Sequence, residues 1–453
     1  MRASSIPLVL LILAVACSPS SNAQPPADAV LFEGARVILG DGSTVIEDGA
    51  FLVEGDLFGS VGRRGELAAP DGARRVDLTG KTVMPALVDL HSHLGYTSVR
   101  TMTTSADAYT RENLIDHLRR YAYYGVSATL SLGLDRGDLA FQLRDEAIPG
   151  VAEYRTAGRG IAMPNAGPLA EHWRDAPYGV TTEIDARRAV EALAAQQVDI
   201  VKIWVDDRGG TVEKLPPYLY RAIIDEAHQH GLRVVAHVYY LEDGKELLRA
   251  GIDGFAHGIR DTEVDAAFVD LLMARPDVFL IPNLPDQEPG RDDLAELSAT
   301  LPATQIDRMR EALSGGDPAR PSSFGVQARS LVRLNAAGVR IGFGTDAGTG
   351  RPFGWSAHAE LADMVAAGLT PAEAIRAATQ TSADILGLAD HGTVAEGKRA
   401  DFIVLEANPL DEISNSRRIA RVYVRGREVD RAALSRAWTE PAPISGAANR
   451  GDR

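Results

Sequence analysis

Six polar side chains able to act on a metal ion stand at the ends of short apolar runs. They are His91 and His93 in V-D-L-H-S-H, Lys202 in V-D-I-V-K-I-W, His237 in R-V-V-A-H-V, His257 in G-F-A-H-G and Asp346 in I-G-F-G-T-D. Imidazole and carboxylate are ligands of hard and borderline divalent cations. Lys202 is the odd member. As an ammonium it has no lone pair to give. Desolvation and nearby cations depress such a pKa and make the amine a nucleophile. Three readings are open at this point: a metal centre, a Schiff-base lysine, or core histidines beside a surface lysine. A Schiff base would leave four histidines and an aspartate without a role. Six such residues at matching places favour the metal centre.

Each run reads as a buried strand with its polar residue at the C-terminal end. Candidate strands cover residues 82–90, 126–132, 150–156, 198–205, 234–238, 254–256, 278–282 and 339–345. Helical periodicity lies between most of them, for example over 111–124, 184–196, 218–230 and 360–367. Eight β/α units predict an α/β fold with a parallel (β/α)8 TIM barrel, which keeps its chemistry at the C-terminal strand ends. Period-2 counting puts Asp89, His91 and His93 on one interior face, and likewise Val198, Ile200, Lys202 and Trp204, and Gly342, Gly344 and Asp346. Leu90, Val201, Ile203, Ile341 and Phe343 then face the helices.

Residues 24–83 and 393–433 read as alternating strands with turn signals, the two parts of a small composite β-sandwich formed by both ends of the chain. The barrel then spans 84–392, and residues 434–453 read as a flexible tail. Residues 1–23 have the form of a secretory signal: Arg2, an apolar stretch from Ile6 to Ala16, then small polar residues. Cleavage after Ala23 competes with a lipoprotein-like box ending at Cys17, the only cysteine, so any membrane association would run through a lipid there. An exported periplasmic or lipid-anchored envelope protein is expected. With 453 residues, net charge -15 and pI about 5.2, nucleic acid is not an expected partner. A small-molecule substrate is, and the composition leaves a homo-oligomer open.

The six residues, with the flank P-A-L-V-D-L-H-S-H, the stretch G-L-T-P-A-E-A-I-R-A-A-T and the closing G-K-R-A-D-F-I-V-L, resemble the amidohydrolase superfamily of metal-dependent hydrolases. The resemblance covers roughly residues 29–430 and points to the branch of Xaa-Pro dipeptidases and imidazolonepropionases. It implies two divalent ions, expected to be zinc. His91, His93 and Asp346 would hold one and His237 and His257 the other. It also implies that Lys202 carries a CO2-derived carbamate bridging both. Such ions share a hydroxide, and Asp346 would act as the catalytic proton shuttle.

The expected reaction is hydrolysis of the amide C–N bond of a dipeptide or N-acyl amino acid. An ester, lactone or aryl-amide hydrolase with the same metals is the alternative, and a non-catalytic periplasmic binding lipoprotein is the alternative from another class. The H-x-Y of His237 and Tyr239 resembles the dipeptidases, where the tyrosine binds a C-terminal carboxylate. Arg260 and Arg351 are candidate anion partners, and His172, in a Gly/Pro-rich loop, a candidate substrate contact. Trp173, Trp204 and Trp355 suggest an aromatic pocket. His358 resembles a family position near the site. His117, His228 and His230 are expected on outer helices at the surface, and nothing recommends His391. The loop A-G-R-G-I-A-M-P-N-A-G-P lacks the G-G-H of the dipeptidases, and Lys202 argues against an imidazolonepropionase.

Overall fold

The computed structural model describes residues 29–98, 101, 103–168, 170–284, 293–312, 323–348 and 351–440. The expected signal, Cys17 and the last thirteen residues lie outside these. In chain order the first strands are β1 (Val30–Ile38), β2 (Val45–Glu54), β3 (Leu57–Arg63), β4 (Arg74–Asp77), β5 (Thr82–Pro85), β6 (Leu87–Ser92), β7 (Val126–Ser131) and β8 (Glu153–Thr156). Then come β9 (Ile161–Ala162), β10 (Tyr178–Gly179), β11 (Val201–Val205), β12 (Val234–Val238), β13 (Gly254–Ala256), β14 (Phe279–Ile281) and β15 (Arg340–Ile341). The last are β16 (Phe402–Leu405), β17 (Ile419–Val424) and β18 (Arg427–Glu428).

Strands from both ends form one sheet, ordered β18-β17-β16-β5-β1-β2-β3 with β4 beside β1. β5 and β1 separate β16 from β2. In a flat sheet those two strands would lie about 14 Å apart. The Phe51 and Phe402 ring centroids are 5.1 Å apart, so the sheet curls until its halves meet. Phe32, Phe51, Phe58, Phe402 and Tyr423 fill the curl in edge-on and stacked pairs.

The strand expected over 82–90 is two. β5 pairs with β16 and β1 of the terminal sheet. The chain then changes sheets at Ala86, whose N–H donates to Asp401 O, while Leu87 N–H donates to Gly125 O beside β7. From there the strands are parallel: β6-β7-β8 in one sheet and β10-β9-β11-β12-β13-β14-β15 in another. Backbone hydrogen bonds bridge these sheets at both edges. Asp199 N–H donates to Thr156 O, and Leu90 N–H donates to Phe343 O.

Helices cross between them, including Arg111–Tyr123, Glu183–Ala195, Pro217–Gln229, Leu241–Ala250, Ser323–Ala336 and Trp355–Ala367. Val201, Ile203, Val234, Ala236, Ile341 and Phe343 pack with the helices. Val88, Leu90, Ala128, Leu130, Ile200, Val235, Ala256 and Ile281 pack on one another inside, with Ile385 among them.

This partition corrects one expectation. Leu90 belongs to the inner cluster, and Asp89 turns away from it. Register shifts between Leu87 and Val88 and between Asp89 and Ser92 break the alternation along β6. The start of the expected tail is also ordered. Residues Arg431–Thr439 form a helix, with the Asp430 side chain accepting from Ala433 N. Trp438 donates from its indole to Asp116 at 2.6 Å and lies under the Arg120 guanidinium. The Ala- and Arg-rich composition hid an anchoring tryptophan.

Phe402 touches four rings and is fully buried. Phe402→Ala should cost about 3–5 kcal/mol, the usual cost of truncating a buried aromatic ring. Chemical denaturation compared with wild type measures it.

Candidate metal centre

His91 and His93 end the inner face of β6 through its bulge. The segment after β15 lies against them: His93 N–H donates to Ala347 O and Asp346 N–H to His91 O, both at 2.7 Å. Glycine makes this approach feasible. A Cβ on Gly344 would stand 2.8 Å from His91 Cβ, and one on Gly348 only 2.1 Å from His93 O.

Asp346 Oδ1 is 3.0 Å from His93 Nε2 and 3.4 Å from His91 Nε2. The other nitrogen of His91, Nδ1, is 2.7 Å from Asn283 Oδ1. If Nδ1–H donates to that oxygen, the Nε2 lone pair faces the carboxylate. Burial, with Lys202 and His93 adding to it, holds the His91 pKa well below its ordinary value. Burial alone would raise the Asp346 carboxyl, but His91, His93 and Lys202 hold it ionised.

Among the described residues, His91, His93 and Asp346 bring one donor atom each within 4.8 Å of one another. Lone pairs converging in a buried space repel unless a cation lies among them. This donor set fits a divalent ion.

His237 and His257 continue the cluster. Their ring centroids are 4.7 Å apart, and His257 is 5.0 Å from His91. Burial first, and then Arg260, pulls both well below the usual imidazole range. His257 reaches the site because its φ is 96°, a rare conformation for a residue with a Cβ. Ala256 already points inward, so extended backbone would have turned His257 outward.

Lys202 is fully buried on β11, and its Nζ makes no hydrogen bond among the described residues. Burial brings its pKa down to about 7. Its charge acts on His91, His237, His257 and Asp346 alike. The structure thus gathers all six expected residues, as a compact triad, a neighbouring pair of rings and an unpartnered amine.

Sequence reasoning missed several residues that orient this set. Asp206 is buried, and its Oδ2 is 3.0 Å from His237 Nε2 and 3.3 Å from Arg208 Nη1. It lies one pleat beyond Lys202 and Trp204, so continuing the period-2 count past the strand would have found it. Asn283 stands likewise one pleat beyond Ile281. Asp89 accepts from the N–H groups of His91 and Thr345, both at 3.0 Å, and from the Thr345 hydroxyl at 2.6 Å. Burial pushes it up to about 6.

The expected substrate residues fall in different places. Tyr239 is half-buried, with the Arg260 guanidinium 5.0 Å from its ring centroid. Arg260 Nη2 reaches Val238 O at 3.0 Å and His237 Nε2 at 3.2 Å. His172 stacks edge-on against Trp173, which is the nearer to the metal ligands at 5.8 Å from the His93 ring. Trp173 and Trp204 share an aromatic cluster with Tyr96. Trp355 packs elsewhere, with Tyr123, Tyr124 and Leu297. Arg351 turns inward, donating to Thr345 O, so it is not placed to meet a substrate anion.

His117 is fully buried, contrary to expectation. Its Nδ1 accepts from Gly95 N, and its Nε2 lies 2.8 Å from Thr97 O. His228 and His230 are exposed. His358 is buried between Ser416 and Tyr124 O, and His391 among Asp390, Glu153 and Asp401.

Residues 82–429 match the amidohydrolase family. The chain is 26% identical over 419 residues to the imidazolonepropionase of Deinococcus radiodurans, covering 85% of this chain and 93% of that protein. A crystal structure reported as a candidate prolidase from Bifidobacterium longum is 28% identical and superimposes with a TM-score of 0.70, covering 90% and 98% of the two chains. A Xaa-Pro dipeptidase with methionine in its active site shares the fold, with a TM-score of 0.70 at 23% identity over 88% of this chain and 99% of that one.

Because Asn283 is the partner of His91 Nδ1 among the described residues, Asn283→Ala should weaken binding of a divalent ion about 10- to 100-fold, the usual effect of removing an outer partner of a ligating histidine. Titration against a competing chelator reads this directly.

Proposed function

The chain belongs to the amidohydrolase family, and from that premise we propose that it hydrolyses the amide C–N bond of a dipeptide or N-acyl amino acid. The observation that carries this reading is the triad His91–His93–Asp346 beside a buried, unpartnered Lys202 Nζ. We read the eight linked parallel strands as a (β/α)8 barrel and the curled terminal sheet as its composite sandwich. His91, His93 and Asp346 would hold one divalent ion and His237 and His257 a second, with a carbamate on Lys202 between them. When bound, the ions supply the positive charge that acidifies water and polarises a carbonyl.

The chain's own groups do the rest. The Asp346 carboxylate, kept ionised by its histidines, takes a proton from the attacking water and returns it to the leaving nitrogen. Asp206 and Asn283 fix the rings of His237 and His91. Tyr239 and Arg260 flank the His237 side and would bind the free carboxylate of the substrate. Trp173 and Trp204 give the His93 side an apolar wall, with His172 at its edge. Lys202 argues against an imidazolonepropionase. The leader of residues 1–23 would export the protein, with Cys17 as a lipid anchor if cleavage falls before it.

Asp346→Asn keeps the shape but cannot carry the proton, so kcat should fall about 10²- to 10⁴-fold. Steady-state rates of the zinc-loaded variant check this. Tyr239→Phe should lower kcat/KM about 10- to 150-fold for substrates with a free carboxylate, the worth of a hydrogen bond to a charged group. The loss should be small for their amides and esters. Equal losses for both classes would remove the carboxylate contact. Turnover of esters, lactones or aryl amides alone would move the substrate class while leaving the metal chemistry in place.

A further inference from the structure

Behind the site lies a buried charged group that the mechanism does not use. Arg351 donates through Nη1 to Thr345 O, the carbonyl next to Asp346. Glu360, on the helix Trp355–Ala367 and 3% exposed, accepts from Leu284 N with both oxygens at 3.0 and 3.1 Å. Leu284 is the residue next to Asn283. Arg351 in turn lies in the field of the Glu360, Asp363 and Asp89 carboxylates.

The two peptides held in this way adjoin two strained residues. Asn283 has φ 41° and Asp346 φ 54°, conformations that persist only where the surroundings enforce them. Both aim at one imidazole. Asn283 Oδ1 meets His91 Nδ1 at 2.7 Å, and Asp346 Oδ1 faces His91 Nε2 at 3.4 Å. The helix carrying Glu360 is itself fixed, since His358 two residues away is held by Ser416 and Tyr124 O.

We propose that Arg351 and Glu360 are positioning residues, a buried hydrogen-bonding brace that holds the backbone beside Asn283 and Asp346 and so aims both nitrogens of His91. The inference rests on the reading of His91 as a metal ligand.

Zinc affinity of the full chain, measured by chelator competition, tests it without reference to turnover. Glu360→Ala should bind zinc about 10- to 100-fold more weakly than wild type. Glu360→Gln, whose amide oxygen still accepts from Leu284 N, should stay within about threefold. The decisive readout is a double-mutant cycle. If the brace acts through Asn283, adding Glu360→Ala to Asn283→Ala should weaken binding by no more than about threefold further, because the two residues share one route. A general structural role would instead give two losses that multiply. Glu360→Asp keeps the charge but withdraws the carboxylate from Leu284. It carries the same expectation as alanine and replaces it if alanine does not fold. Zinc binding unchanged in these variants, or multiplying losses in the cycle, overturns the brace. A wild-type protein that binds no zinc overturns the reading of His91, and the brace with it.

Discussion

Lys202 lies fully buried, its Nζ hydrogen-bonded to none of the described residues and facing the Trp204 ring at 5.3 Å, and an ammonium without a hydrogen bond in that place would cost several kcal/mol. The strain shows in its pKa, brought down to about 7 by burial. Around it the lone pairs of His91 and His93 and the Asp346 carboxylate converge within 4.8 Å. Each group is poorly placed alone. Cations between the lone pairs, and a neutral or carbamylated amine in place of the ammonium, relieve both costs at once. The glycines, the bulge and the outer carboxylates can all be understood as serving that arrangement.

Parallel strands deliver side chains to one end of the fold, but alternation by itself does not aim them. Lys202 follows the alternation of β11, and His237 follows that of β12. His257 does not, while Asn283 and Asp346 keep the inward parity but, like His257, with left-handed backbone. They lie just past their strands at φ 96°, 41° and 54°. Left-handed backbone at three neighbouring strand ends stores strain, about 1–3 kcal/mol at each such residue. The packed helices behind must hold it. Asp89, Thr345, Arg351 and Glu360 lie on that side of the strands, where Asp89 accepts from the Thr345 hydroxyl, Arg351 donates to Thr345 O and Glu360 accepts from Leu284 N.

The six central residues were legible because their types are costly to bury and recur at matching strand ends. Strand and helix positions followed from hydrophobic period, so the helix expected over 111–124 ends one residue earlier and the one expected over 218–230 is displaced by one residue. Period-2 counting failed on β6, where bulges cannot be read from apolar spacing, and Asp89 and Leu90 exchanged faces. His117 looked like a surface residue because its partners, Gly95 N and Thr97 O, are backbone atoms and leave no mark in composition. Asp206 was within reach of the same count that found Lys202. So was the inward place of Asn283, one pleat beyond Ile281, but its role and that of Glu360 were not, since they act through contacts distant in sequence, 192 and 76 residues apart.

As proposed above, Lys202 would become an anionic bridge between two cations. Protein equilibrated with zinc and 13C-bicarbonate can be analysed for metal content and, by 13C NMR, for a carbamate carbon. The account predicts close to two equivalents of zinc and a carbamate resonance that is absent from Lys202→Arg. About one equivalent, unchanged by bicarbonate and without a carbamate signal, would contradict it.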